Sequence, residues 1–169
     1  PPAAVRKGER KKIAILIDDI GYDPGALRRL LAIDAPLAFS VLPRLPHSRS
    51  SAEAIHRAGR EVLLHLPMEP HGYPDRDPGR GALFASMTAR EIRKTLAEDV
   101  QSVPHAEGVN NHMGSKLTKD KKAMRIVLAH LHGRGKFFLD SLTTPKSCVK
   151  EVSKTLGMRY YRRHIFLDN

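Results

Sequence analysis

Acidic and histidine side chains follow the apolar runs of this sequence at several places, and their types suit metal-assisted chemistry. They are Asp18, Asp19, His65, Glu69, His112, Asp140 and Asp168, and the amide Asn111 precedes His112. Imidazole and carboxylate groups are ligands for divalent cations, whereas the single cysteine, Cys148, excludes a zinc cluster built from thiolates. The sequence therefore predicts a divalent metal held by histidine and aspartate, with a position left for a water molecule that the metal activates.

Each of these residues also has a purely structural interpretation. An aspartate that follows a strand is often a helix N-cap, so Asp19 taken alone is equally well explained as the cap of the next helix. A lone histidine such as His65 is more often a partly buried core residue than a ligand, and His112 could be a turn residue. The convergence of several such groups on neighbouring strands favours the metal site. Asp18 and Asp19 cannot point the same way on an extended segment, so one is free to ligate while the other acts as a base or is held by hydrogen bonds.

The elements that must position these residues alternate between short apolar runs and helical patterns. We predict strands at Ile13–Ile17, Leu37–Leu42, Glu61–Leu64, Gly108–Asn110, Phe137–Leu139 and Ile165–Leu167. We predict helices at Pro24–Ile33, Ser50–Arg60, Thr88–Gln101, Lys121–Gly133 and Lys146–Leu156. The first strand should be buried on both faces, and Thr88 with Glu91 forms a capping-box pattern. This alternation predicts one α/β domain with a parallel sheet and a ligand site at the carboxyl ends of its strands.

The composition limits the class of protein. The chain has 169 residues, 41% of them hydrophobic, which is enough for the core of one domain. Its net charge of +11 comes without interleaved aromatics or a zinc-finger signature, so we expect a solvated basic surface and no nucleic-acid partner. No apolar run approaches the roughly 20 residues that span a bilayer, so no transmembrane segment is expected. We predict a flexible basic N-terminal segment at 1–11 and a catalytic domain at 12–169 whose C-terminal part is missing from this chain.

Five ordered motifs together resemble the divergent polysaccharide deacetylase family, a bacterial branch of the NodB-like carbohydrate esterases. They are Ile17-Asp18-Asp19-Ile20-Gly21, Leu64-His65-Leu66-Pro67-Met68-Glu69-Pro70, Gly108-Val109-Asn110-Asn111-His112-Met113-Gly114-Ser115, Phe138-Leu139-Asp140-Ser141 and Phe166-Leu167-Asp168-Asn169. The resemblance implies a distorted, incomplete (β/α) barrel of the NodB-like deacetylase type, truncated at the C-terminus of this chain.

The resemblance also implies roles for individual residues. In the wider superfamily the first aspartate of the opening motif is the catalytic base and the second is a metal ligand, which implies those roles for Asp18 and Asp19. The second motif usually carries two ligating histidines four residues apart, and here His65 matches the first while Glu69 stands at the second position. We therefore expect His112, typical of this branch, to supply the third ligand. Glu69 remains open as an alternative ligand or as a group that orients His65.

Other positions are assigned less directly. Asn111, Asp140 and Asp168 are expected to support the ligands from behind or to contact substrate hydroxyls, and a helix-cap role is nearly as good for either aspartate. The general acid is unassigned, because His164 precedes the predicted last strand and would lie at the wrong end of the sheet.

The function that the resemblance implies is a metal-dependent hydrolase, with zinc as the metal, that removes acetyl groups from a polysaccharide or peptidoglycan-like glycan. It further implies a periplasmic or otherwise exported protein. The alternative is a non-catalytic metal- or glycan-binding envelope protein that retains the deacetylase barrel.

Overall fold

The computed structural model describes residues 12–167. The predicted basic segment at 1–11 and the predicted role of Asp168 lie outside the described residues. No helix of the described part is both long enough and apolar enough to cross a membrane.

Six strands form one parallel sheet, and each strand pairs with the next strand in the chain. The strands are β1 (Ile15–Ile20), β2 (Leu37–Val41), β3 (Glu61–Met68), β4 (Gly108–Met113), β5 (Phe137–Asp140) and β6 (Tyr160–Arg162). The helices are α1 (Pro24–Leu31), α2 (Ser48–Arg57), α3 (Ala89–Ser102), α4 (Lys121–His132) and α5 (Val149–Thr155), with one turn of 3₁₀ helix at Leu117–Lys119. This sequential parallel order confirms the predicted α/β class and is consistent with a distorted, incomplete barrel.

The helix starts follow from local side-chain chemistry. Thr88 and Glu91 form the predicted capping box at the start of α3. The cap of α1 is Asp23, whose carboxylate accepts a hydrogen bond from the Gly25 amide, with Pro24 in the first helical position. Asp19 is therefore not a helix cap, which removes the structural interpretation of that residue.

The core is one apolar cluster that extends across the sheet and the helices. Its largest fully buried side chains include Phe39, Ile55, Leu64, Leu96, Leu128 and Phe138. Burial of a side chain of this size stabilises the fold by roughly 1.5–3 kcal/mol. The strands that carry His65 and His112 lie in the middle of this sheet, so a rigid core supports them.

The two outermost strands differ from the predictions. β1 begins two residues later than predicted, and Ile13 is 85% exposed. Ile15 and Ile17 are only half-buried, because β1 is an edge strand that pairs with β2 alone among the described residues. Burial of this strand on both faces was therefore a wrong prediction.

The predicted last strand at Ile165–Leu167 is also wrong. The sixth strand is Tyr160–Arg162, in register with Phe138–Asp140 of β5, and Ile165 and Leu167 are more than 70% exposed. His164 consequently follows the last strand rather than preceding it, so the prediction that it lies at the wrong end of the sheet is wrong.

Candidate metal centre

A bulge at the end of β1 separates the two adjacent aspartates. Ile17 and Ile20 lie opposite Phe39 and Val41, so β1 has three residue steps where β2 has two. Asp19 adopts a positive φ of 59°, a conformation that is uncommon outside glycine but is most accessible to Asn and Asp. The extra residue turns Asp19 toward β3.

The two histidines lie on neighbouring strands at the centre of the sheet. β3 and β4 extend further than predicted, so His65 and His112 belong to the strands themselves. His65 lies opposite Asn110 in the register of this pair, and His112 lies opposite Pro67, two residues further on. Side chains at every second residue share a face, so this register places both imidazoles on one side of the sheet.

Three ligand-type atoms meet at this edge of the sheet. Asp19 Oδ1 lies 3.2 Å from His65 Nε2 and 3.1 Å from His112 Nδ1, and the two nitrogens are 3.2 Å apart. His65 is 3% exposed, whereas the Asp19 side chain is 59% exposed. The group is thus anchored in the protein at His65 and open to solvent at Asp19.

The electrostatics of the three groups favour a shared positive charge. Hydrogen bonds with His112 and His65 hold the pKa of Asp19 well below its usual value. Burial lowers the pKa of His65, but the hydrogen bond with Asp19 and the charges of Asp18 and Asp19 outweigh it, so the net pKa lies above its usual value. Both shifts mean that a cation between these atoms is stabilised.

The donor set fits a divalent metal. Zinc binds His and Asp at about 2.0–2.2 Å, so two ligand atoms of one tetrahedral zinc lie roughly 3.3 Å apart. The three observed separations are close to that value without any movement of the strands. Among the described residues, a metal ion could be held by Asp19, His65 and His112, which have suitable ligand atoms at suitable distances.

Asp18 lies beside this centre but has different partners. Its Oδ1 accepts a hydrogen bond of 3.0 Å from Asn110 Nδ2 and lies 3.8 Å from His65 Nδ1. The side chain is one-third exposed. A carboxylate in this position is held next to the three candidate ligands without belonging to that group, which suits a base.

Glu69 is held away from the centre by two partners of its own. Its Oε1 lies 2.6 Å from Lys116 Nζ, and its Oε2 accepts a hydrogen bond of 2.8 Å from the Ala85 amide. Burial raises the pKa of Glu69, but the bonds from Lys116 and Ala85 bring the net value below the usual one. Both carboxylate oxygens are thus engaged in bracing the loop that follows β3.

Asn111 and Asp140 are buried and bond to nearby backbone. Asn111 donates to the Met113 carbonyl at 2.7 Å and accepts from the Ser141 amide at 2.9 Å. Asp140 accepts from the Leu142 amide and from the Ser147 hydroxyl. The Asn111–Ser141 bond joins the ends of β4 and β5, and Asp140 holds the loop that follows β5.

Asn110 was not predicted from the sequence as a site residue, whereas its neighbour Asn111 was. Asn110 is fully buried and contacts both Asp18 and His65. The alternation of a strand contained the signal, because residue 110 and His112 lie two positions apart and share a face. Ser40 and Ser141 contact Asn110, and no local pattern in the sequence indicates these contacts.

Comparisons with known proteins identify the family of this chain. The family described as Divergent polysaccharide deacetylase matches residues 15–169, almost the whole chain. The uncharacterized protein YibQ of Escherichia coli K12 is 37% identical over 158 residues, covering 94% of this chain and 49% of that protein. An uncharacterized protein of Haemophilus influenzae is 33% identical over 160 residues, covering 95% of this chain and 56% of that protein. The chain thus spans about half the length of these relatives.

The fold is also found in a solved structure. The crystal structure of an uncharacterized protein from Agrobacterium tumefaciens C58 superimposes with a TM-score of 0.86 at 23% sequence identity. The match covers 92% of this chain and 64% of that one, and at this identity it supports the fold alone. Together with the family match over residues 15–169, these likenesses establish that the chain belongs to the divergent polysaccharide deacetylase family.

Proposed function

We propose that this protein is a metal-dependent hydrolase that removes acetyl groups from a polysaccharide or other glycan. One observation carries the proposal: Asp19 Oδ1, His65 Nε2 and His112 Nδ1 converge to within 3.2 Å of one another beside Asp18. Two imidazoles and one carboxylate that leave a solvent-open side are the ligand set of a catalytic rather than a purely structural zinc site. Zinc is the metal we propose for it.

The chain's own residues supply a base for the reaction. A divalent metal at this centre would polarise the acetyl carbonyl and lower the pKa of the attacking water. Asp18 receives a hydrogen bond on Oδ1 from Asn110, and no described residue bonds to Oδ2. That oxygen is therefore free to accept a proton from the water as it attacks the carbonyl carbon. Cleavage of the acetyl C–N or C–O bond then yields acetate and a free amine or hydroxyl.

The substrate class and compartment rest on family membership. We propose a polysaccharide or peptidoglycan-like glycan of the cell envelope as substrate, and a periplasmic or otherwise exported location. The net charge of +11 supports an acidic envelope polymer, because a basic surface attracts a polyanion over a Debye length.

The test combines metal content with acetate release. The purified chain should hold one zinc per molecule by elemental analysis, and His65→Gln and His112→Gln should each abolish this. His132→Gln is the matched control, because His132 is exposed at the end of α4 and should leave the zinc content unchanged. Acetate release from acetylated chitooligosaccharides or peptidoglycan fragments should stop after chelation and return with zinc.

Two results would count against this function. If both histidine variants keep their zinc, the metal centre itself is contradicted. Zinc binding with no acetate release from any of these glycans would favour the non-catalytic metal- or glycan-binding protein.

A further inference from the structure

We propose that Asn110 is a positioning residue that keeps His65 in the tautomer required of a metal ligand and orients the carboxylate of Asp18. This inference rests on the proposed function, since it assigns a task within the same centre. It concerns one buried side chain that touches a ligand and the base at once.

Every hydrogen-bonding position of the Asn110 amide is used. Its Oδ1 accepts from the hydroxyl of Ser40 and lies 2.9 Å from His65 Nδ1. Its Nδ2 donates to Asp18 Oδ1 at 3.0 Å and lies 3.4 Å from the Ser141 hydroxyl. An amide has two donors and two acceptor sites, so all four are matched in a place where Asn110 is fully buried.

The partner of Nδ2 determines which way the amide faces. A carboxylate oxygen can only accept a hydrogen bond, so the NH₂ group of Asn110 must face Asp18. The reverse orientation would bring the amide oxygen against the carboxylate oxygen of Asp18 in a buried place, where an unmatched polar pair is costly. The amide oxygen therefore faces His65.

This orientation decides the tautomer of His65. Because Asn110 Oδ1 is an acceptor, His65 Nδ1 must carry the proton that lies between them. In a neutral imidazole the other nitrogen, Nε2, then has its lone pair free. Nε2 is the atom that lies 3.2 Å from Asp19 Oδ1, at the point where a metal would be shared.

Asn110 also connects the base to the ligand without direct contact between them. Asp18 Oδ1 is 3.8 Å from His65 Nδ1, which is too far for a hydrogen bond. The amide bridges this gap with two bonds of 2.9 and 3.0 Å. Partners behind a metal-bound histidine that fix its ring and tautomer commonly contribute 10–100-fold to metal affinity or activity, about the size expected here.

The experiment compares three substitutions. Asn110→Leu keeps the approximate side-chain volume and removes every hydrogen bond. Asn110→Asp keeps an acceptor oxygen toward His65 and replaces the donor toward Asp18 with a second oxygen. Ser40→Ala is the matched control, because it removes the other donor to the same amide oxygen and leaves His65 its partner. If Asn110→Leu fails to fold, as judged by circular dichroism, Asn110→Ala takes its place.

The first readout needs neither metal nor turnover. Nitrogen-15 NMR of the histidine rings in the metal-free protein, at a pH where the imidazoles are neutral, reports the tautomer, and His65→Gln assigns the signal. His65 should carry its proton on Nδ1 in the wild type, in Ser40→Ala and in Asn110→Asp. Asn110→Leu should give a mixture of tautomers.

The second readout is zinc affinity by calorimetric titration. Asn110→Leu should weaken zinc binding by about 10–100-fold. Ser40→Ala should stay within about threefold of the wild type. A double variant tests the contact with Asp18. Asn110→Leu should lower kcat by a smaller factor in an Asp18→Asn background than in the wild type, because the part of its effect that acts through Asp18 is already lost.

The outcomes separate this inference from the proposed function. If Asn110→Leu keeps the single tautomer of His65 and binds zinc within twofold of the wild type, the positioning role is overturned, whether or not acetate is released. The wild type could release no acetate while Asn110→Leu still changes the tautomer of His65 and weakens zinc binding. That result supports the positioning role and overturns the proposed function alone.

Discussion

Asp18 and Asp19 are neighbours in β1, yet their carboxylates approach opposite nitrogens of one imidazole. Asp19 Oδ1 lies 3.2 Å from His65 Nε2, while Asp18 Oδ1 lies 3.8 Å from His65 Nδ1 and bonds to Asn110 instead. The bulge between Ile17 and Ile20 produces this difference, because it adds one residue and puts Asp19 at positive φ. Two chemically identical side chains thereby acquire different environments.

Substitution of Asp18 should separate binding from turnover. Asp18→Asn keeps the size of the side chain but cannot take a proton, so we expect zinc content to stay at one per chain while kcat falls by about 10²–10⁴-fold. Elemental analysis and an acetate-release assay measure the two effects. Asp23→Asn is the matched control, since Asp23 only caps α1 and asparagine caps equally well. Loss of zinc in Asp18→Asn would mean that Asp18 is a ligand.

Substitution of Glu69 should affect stability and leave the metal in place. Glu69→Gln weakens the bond to Lys116 but retains an oxygen for the Ala85 amide. Because Lys116 is about half-exposed and the ion pair is partly screened, we expect a loss of about 1–2 kcal/mol in the free energy of unfolding. Urea titration measures this, and elemental analysis should still find one zinc. A variant that no longer binds zinc would restore Glu69 as the third ligand in place of His112.

Asp99 should make the stability of the protein depend on pH. This residue is fully buried on α3, its Oδ1 lies 2.6 Å from Arg44 Nε, and its Oδ2 has no hydrogen-bond partner among the described residues. Burial raises the pKa of Asp99 to about 7 from a usual 3.8, although Arg44 acts in the opposite direction. The folded state therefore holds a proton that the unfolded state releases, and stability falls as pH rises from about 4 to about 7.

The variant Asp99→Asn isolates this effect, because asparagine does not titrate. The difference in unfolding free energy between the variant and the wild type should shift in favour of the variant by on the order of 3 kcal/mol between pH 4 and pH 8. Urea unfolding at pH 4.5, 6 and 8 measures it. A difference that stays constant over this range would show that Asp99 ionises normally in the folded protein.

Cys148 should be inert in the folded protein. The residue is 6% exposed at the start of α5, and burial raises the pKa of its thiol to about 11. At pH 8 only about one molecule in a thousand then carries the reactive thiolate. Iodoacetamide should leave the native chain unmodified by mass spectrometry and add one group in urea. Rapid modification of the native chain would indicate that α5 opens readily.

Local chemistry in the sequence was sufficient for most of the helices and strands. Apolar runs identified β2, β3, β4 and β5, and the Thr88–Glu91 pattern identified the start of α3. Such features depend on a few adjacent residues, so they can be read without the fold. The apolar triplet Ile165–Leu167 was wrongly predicted as a strand, because such a triplet forms a strand only if a neighbouring strand is free to pair with it. The neighbour, β5, pairs with Tyr160–Arg162 instead.

The tertiary structure decided which of the candidate side chains meet. His65 faces Asn110 because of the register between β3 and β4, and Asp19 reaches both histidines because of one extra residue in β1. Register and bulges depend on how separate strands align, and no local pattern contains that information. The sequence alone thus determined the family and the fold class, and the family resemblance favoured His112 over Glu69. Only the three-dimensional packing brought His65 and His112 together beside Asp19 and put Asn110 between Asp18 and His65.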